Sequence, residues 1–170
     1  AEADRLHPQR LLHRRREAQH HGLVVARDGD TGLAPRPDVD ALDPVDLVAH
    51  LENDQVIRGE ASIDGMADAI EAPVLNVYLD PEAGAYPRAL DAIARADLVV
   101  VGPGDLYTSV VPNLLVRGVK EAIAASRARV VYVCNLMTKP NETPGYSVED
   151  FIGTVCLYLG EARLDAALYN

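Results

Sequence analysis

The segment GPGDLYTS (residues 102–109) has the parts of an anion cradle. Gly102 and Gly104 let a ligand approach the main chain with no Cβ in the way, and Pro103 stiffens the turn between them. Thr108 and Ser109 add hydroxyls just ahead of PNLLVRGVKEAIAA (residues 112–125), whose pattern is helical and whose first amides would face the ligand. Asp105 fits less well, because a carboxylate repels phosphate. It can hold a bridging metal, cap the helix or face solvent, and the last two are favoured. G-P-G alone describes many tight turns. What gives it weight is its place between the apolar run DLVVV (residues 97–101) and a helix.

A second polar stretch, NLMTKPNETPGY (residues 135–146), follows another apolar run, RVVYVC (residues 129–134). Asn135, Thr138, Asn141, Glu142 and Thr143 supply amides, hydroxyls and a carboxylate suited to a sugar, a base or a phosphate. A polar surface loop would look similar, but twelve residues is long for a connection in an α/β unit, where roughly 2–6 is usual. Lys139 is the one cation there, and solvation alone would account for it. All five histidines lie at or before position 50, so no Ser-His-Asp set can form around either stretch. Cys134 and Cys156 sit in apolar surroundings without metal-ligand spacing and read as buried free thiols.

These stretches need elements to hold them. DLVAHL (residues 46–51) and QVIRGE (residues 55–60), with Glu52-Asn53-Asp54 between them, read as a β-hairpin. VLNVYL (residues 74–79) reads as a strand and PRALDAIARA (residues 87–96) as a helix begun by proline. Strands over 97–101 and 129–134 follow, with the helix over 112–125 between them. Gly118 weakens that helix and points to close packing there. Ser147 with Asp150 resembles a capping box opening a helix that runs to about Leu159, before Gly160, and LDAALY (residues 164–169) starts another strand. The alternation from residue 74 predicts a parallel sheet with helical crossovers. Ligands of such sheets collect at the carboxyl ends of the strands, where both polar stretches begin. If the two strands are neighbours, both loops face one crevice.

Composition narrows the class. The chain of 170 residues is long enough for one domain with a core, and its 48% hydrophobic content includes no Trp and one Phe. An aliphatic core of this kind suits helices packed on a parallel sheet. The net charge of −10 argues against non-specific nucleic-acid binding. Residues 1–37 hold 7 Lys and Arg against 5 Asp and Glu, a net of +2, while residues 38–170 hold 9 against 21, a net of −12. The early stretch LHPQRLLHRRREAQHH (residues 6–21) reads as a solvated leader in preference to a nucleic-acid arm. DGDTGLAPRPDVD (residues 28–40) reads as a linker, since it lacks the full alternation and terminal Glu of a calcium loop. No apolar run is long enough for a membrane span, and a cytoplasmic location is expected.

The blocks ADLVVVGPGDLYTSVVPNLLVRGVKEAI (residues 96–123) and VYVCNLMTKPNETPGYSVEDFI (residues 131–152) closely resemble the signature of the YvcK-type gluconeogenesis factors. These belong to the CofD-like superfamily of 2-phospho-L-lactate transferases. The likeness is gap-free in both blocks and reaches more loosely to DLVAHLENDQVIRGEASI (residues 46–63), giving roughly three quarters of the chain. It implies a Rossmann-like α/β fold with the β-hairpin, and a CofD-like domain over residues 46–170. For the gluconeogenesis-factor branch it implies a UDP-sugar-binding regulator linked to carbon metabolism, cell-wall supply and cell shape, with no certain cofactor. For the other branch it implies transfer of a phospholactyl group from a nucleotide-activated donor to a deazaflavin. Ligand roles carry over to Gly102, Pro103, Gly104, Thr108, Ser109 and Asn113, and further to Asn135, Thr138, Glu142 and Thr143. The sequence departs from the pattern in three ways. No GGGTG-like nucleotide loop is found, so the half of the fold that carries it is expected to be missing. Position 105 is Asp where Ser is usual, and residues 1–45 are unmatched. The Arg/His/Pro/Gln flavour of residues 1–45 is that of an out-of-frame leader from a GC-rich gene. A truncated fragment without independent function is therefore a further alternative, and an exposed sheet edge would favour homo-oligomers.

Overall fold

The computed structural model describes residues 23–26, 45–64 and 72–170. The expectations of a leader over 6–21 and a linker over 28–40 lie outside the described residues. Two sheets share one hydrophobic core.

The first sheet has the order β1 (Leu23–Ala26), β5 (Leu98–Val101), β6 (Arg129–Val133), β7 (Ala166–Leu168). β5 pairs parallel with β6, Leu98 opposite Arg129, and β6 pairs parallel with β7, Val131 opposite Ala166. β1 adds antiparallel to the outer side of β5, an element that no sequence signal marked. Val99, Val101, Val130 and Tyr132 are buried, and these β-branched and aromatic residues anchor the sheet in the core. The crossovers are helical, as the alternation of patterns requires.

The second sheet, of order β3-β2-β4, is antiparallel: β2 (Asp46–Leu51), β3 (Val56–Arg58) and β4 (Val74–Asp80). The predicted hairpin is present, its turn carrying Asp54 at a φ of 67°. A short helix, α1 (Glu60–Asp64), follows the hairpin and buries Ile63. The strand at 74–80 corrects an expectation, because it lies beside β2 and not in the parallel sheet. Alternation along the sequence does not say which sheet a strand joins. Here β2 offers partners from Asp46 to Leu51, and the Tyr158 hydroxyl accepts the Val77 amide at 2.9 Å.

α2 (Pro87–Ala94) starts on its proline and buries Ala89 and Ile93, one turn apart. The helix expected over 112–125 is in fact two. A wide turn over Leu106–Val110, with the Val110 amide bonded to the Asp105 carbonyl, runs directly into α3 (Val111–Leu115). The chain then breaks, and α4 (Val119–Ala125) begins after Gly118. The break has a cause: the Arg117 amide donates to the Ala83 carbonyl at 2.8 Å and the Arg117 carbonyl accepts from Ala85 at 3.0 Å, a pairing no helix allows. Gly118 is needed for its φ of 97°, since a Cβ there would meet Leu90 at an ordinary 3.5 Å. α5 (Val148–Leu159) buries Phe151, Val155 and Leu159 on one face. Its Ser147–Asp150 capping box is formed as expected, and Gly160 follows its end.

Candidate ligand-binding site

Because β5 and β6 are parallel neighbours, the loops that leave their carboxyl ends lie side by side. Two of the polar contacts between them lie near their tips. The Gly104 amide donates to the Asn135 side-chain oxygen at 3.1 Å. Lys139 Nζ lies 2.6 Å from the Asp105 carboxylate. At the base of the first loop, Gly102 has a φ of 82°, and a Cβ on it would stand 2.6 Å from the Val133 carbonyl oxygen. The glycine therefore serves close approach between the two strand ends as well as the turn.

Glu142 organises the interior of this region. It is 1% exposed, and its carboxylate accepts the Tyr107 amide at 3.0 Å and the Thr108 hydroxyl at 2.8 Å. Lys139 Nζ approaches the same carboxylate at 3.0 Å. The turn that brings them together is local: the amides of Glu142 and Thr143 both bond the Lys139 carbonyl, and the Thr143 hydroxyl accepts the Lys139 amide at 2.9 Å. Asn141 reaches away and bonds the Ile63 carbonyl at 2.9 Å, tying the second loop to α1. Tyr107 and Tyr146 share a hydroxyl–hydroxyl bond of 2.8 Å, and Tyr146 packs edge-on against Phe151. Burial, then the bond to Tyr146, pushes the Tyr107 phenol far above its ordinary value.

These contacts revise the expected anion cradle. The helix after the first loop starts at Leu106, not at Pro112, so Thr108 and Ser109 are buried residues of its first turn. The anion at that helix start is the protein's own Glu142. Asp105 occupies the N-cap position without a side-chain cap bond and pairs with Lys139 instead. Lys139 in turn is engaged by two carboxylates and is not merely solvated. Asn113 donates to the Ser109 carbonyl at 2.6 Å, one turn back along the helix.

The residues predicted for the site thus fall into two groups. Thr108, Ser109, Glu142 and Thr143 are buried, and Thr108, Glu142 and Thr143 build the scaffold through the bonds above. Gly104, Asn135 and Asn113 are half-buried, while Pro103 and Thr138 are exposed at the loop tips. Gly102 lies buried beneath them. Two residues outside the expected set stand out beside Asn135: Leu136 and Met137 are 78% and 80% exposed. Apolar types in a polar loop were the available signal. Cys134 is buried as expected, but Cys156 is exposed, since its position on α5 faces away from the Phe151–Val155–Leu159 stripe. Among the described residues no group of three or more His, Cys, Asp or Glu side chains is placed to hold a metal. None of the described helices is long and apolar enough to cross a membrane.

The chain is similar to known proteins. The family model described as 2-phospho-L-lactate transferase CofD matches residues 35–170. The gluconeogenesis factor of Bacillus subtilis is 38% identical over 125 residues, covering 73% of this chain and 38% of that protein. The gluconeogenesis factor of Halalkalibacterium halodurans is 41% identical over 125 residues, with the same coverage of 73% and 38%. A crystal structure of a UPF0052-family protein from Bacillus halodurans superimposes with a TM-score of 0.71 at 38% identity, covering 76% of this chain and 41% of that one. The chain accordingly spans less than half the length of these relatives. Its α/β fold is Rossmann-like, and with the family model running from residue 35 to residue 170 the chain belongs to the CofD family, alongside the gluconeogenesis factors.

Proposed function

We propose that this chain supplies one wall of a nucleotide-sugar site in a regulatory protein of the gluconeogenesis-factor kind. The observation that carries the reading is the pair of loops fastened at the carboxyl ends of two adjacent parallel strands, Gly104 to Asn135 and Asp105 to Lys139. Carboxyl ends of adjacent strands are where ligands of open α/β sheets bind. The ligand class is a UDP-sugar. It rests on Pro103, Gly104, Asn135 and Thr138, with Gly102, Thr108, Ser109, Asn113, Glu142 and Thr143 beneath or beside them as support. Residues 46–170 act as the CofD-like domain, the protein works in the cytoplasm, and its effects on carbon metabolism and cell shape follow from sensing the nucleotide sugar. The outer edge of β7 is a surface through which copies can associate.

The family model's own description favours a second reading, a phospholactyl-type transferase using a nucleotide-activated donor. Calorimetric titration with UDP-N-acetylglucosamine, followed by an assay for turnover of a guanylylated phospholactate donor, separates the two. Saturable binding without turnover supports the regulator, turnover supports the transferase, and the absence of both overturns both readings.

A further inference from the structure

Residues 136–138 are strung between two tethers to the first loop. Asn135 holds the Gly104 amide on one side, and Lys139 holds the Asp105 carboxylate on the other. The three residues between these anchors form a short arch beside the first loop. On that arch the sequence puts Leu136 and Met137, both with more than three quarters of their surface in solvent. Large apolar side chains held this far out carry a hydration cost with no compensating contact inside the protein.

The electrostatics of the arch decide what it can receive. The one cation of the loop pair, Lys139, faces the carboxylates of Asp105 and Glu142, so this corner carries a net charge of −1. The amides of Gly104 and Tyr107 are already bonded to Asn135 and Glu142. A phosphate arriving here would meet a carboxylate 41% exposed, and the loop pair's one cation is already shared between two carboxylates. An uncharged ring bearing hydroxyl or amide groups would instead find an apolar surface in Leu136 and Met137, hydrogen-bonding capacity in Thr138, and an acceptor in Asp105.

From this juxtaposition we propose that Leu136 and Met137 form the platform for the uncharged ring of the ligand, its sugar or base, with Asp105 accepting from the ring's polar hydrogens and the phosphates lying away from this corner. The proposal rests on the ligand class argued above and specifies which part of the ligand these loops hold.

The test uses the whole chain and a double variant, Leu136→Ser with Met137→Ser. Both side chains are exposed, so an unchanged thermal melt is expected and folding does not confound the result. Binding is measured for UDP-N-acetylglucosamine and, separately, for inorganic pyrophosphate. The expected result is a loss of about tenfold for the nucleotide sugar, the size that follows from removing roughly 60 Å² of apolar contact, with pyrophosphate affinity unchanged. Equal loss for both probes, or no loss for either, overturns the platform while leaving the nucleotide-sugar reading intact. A change in oligomeric state with unaltered affinity also overturns it, since the pair then covers a second copy of the chain. If the unmodified chain binds neither probe, the nucleotide-sugar reading fails and the platform fails with it.

Discussion

The Glu142 carboxylate accepts the backbone amide of Tyr107 at 3.0 Å, so the helix that follows one loop begins on a side chain of the other. A buried carboxylate thus joins the two loops beneath their exposed contacts, and exposure decides how much each ionic contact contributes. Glu142→Ala strands the Tyr107 amide and the Thr108 hydroxyl without their partner and should cost roughly 2–4 kcal/mol. Asp105→Asn breaks a pair whose side chains are 41% and 26% exposed, and should cost about 1 kcal/mol or less. Denaturant titration of the two variants checks the order. Equal effects would mean that the carboxylate does not hold the loops.

Gly102 and Gly118 both have positive φ, but only Gly102 lacks space as well. Gly118→Ala should cost about 1–2 kcal/mol, the strain of a left-handed alanine. Gly102→Ala adds a collision with backbone, 2.6 Å from the Val133 carbonyl oxygen, and should be the more damaging of the two. Thermal melts of both variants provide the comparison, and a milder Gly102→Ala would contradict the close approach of β5 and β6.

Much of this architecture is legible in the residues themselves. Ser147 and Asp150 announce the start of α5, Pro87 starts α2, and the runs at 98–101 and 129–133 pair as parallel neighbours. What local pattern cannot carry is long-range pairing. β4 has the same strand signal as the others, yet its partner is β2. The helix over 112–125 looks continuous because Gly118 is its only weak point, while the contact that breaks it comes from Ala83 and Ala85. At the site, the loops were readable from their polar composition and position. The engagement of Lys139 by two carboxylates was not, because Asp105 is distant from it in the chain.

Acid should weaken the fold through Asp150 and Asp165. Bonds from the Ser147 backbone and hydroxyl hold the Asp150 carboxyl below its ordinary 3.8, and bonds from Val130 and Arg163 do the same for Asp165. A carboxyl depressed in the folded state contributes stability that is present above its unfolded value and lost as pH falls through the folded one. The melting temperature should therefore drop as pH falls below about 4, and less steeply in a variant with Asp150→Asn and Asp165→Asn. Parallel curves for variant and parent would mean that these two groups do not set the acid sensitivity.

Alkali acts through buried phenols. Burial raises the Tyr107, Tyr132 and Tyr158 hydroxyls above their ordinary 10.0. Their neutral forms are favoured by folding, so this stability is present below pH 10 and lost as pH rises above it. Ultraviolet titration of the phenolates should show these three of the seven tyrosines ionising late, together with unfolding. Full reversible ionisation of all seven near pH 10 would contradict their burial.

In the proposed function the loops leaving β5 and β6 form one ligand-binding wall. Hydrogen–deuterium exchange, with and without UDP-N-acetylglucosamine, is the measurement that decides this. Ligand-dependent slowing is expected in residues 102–109 and 135–146 and not in the hairpin of β2 and β3. Exchange in those two segments that is the same with and without the ligand would contradict it.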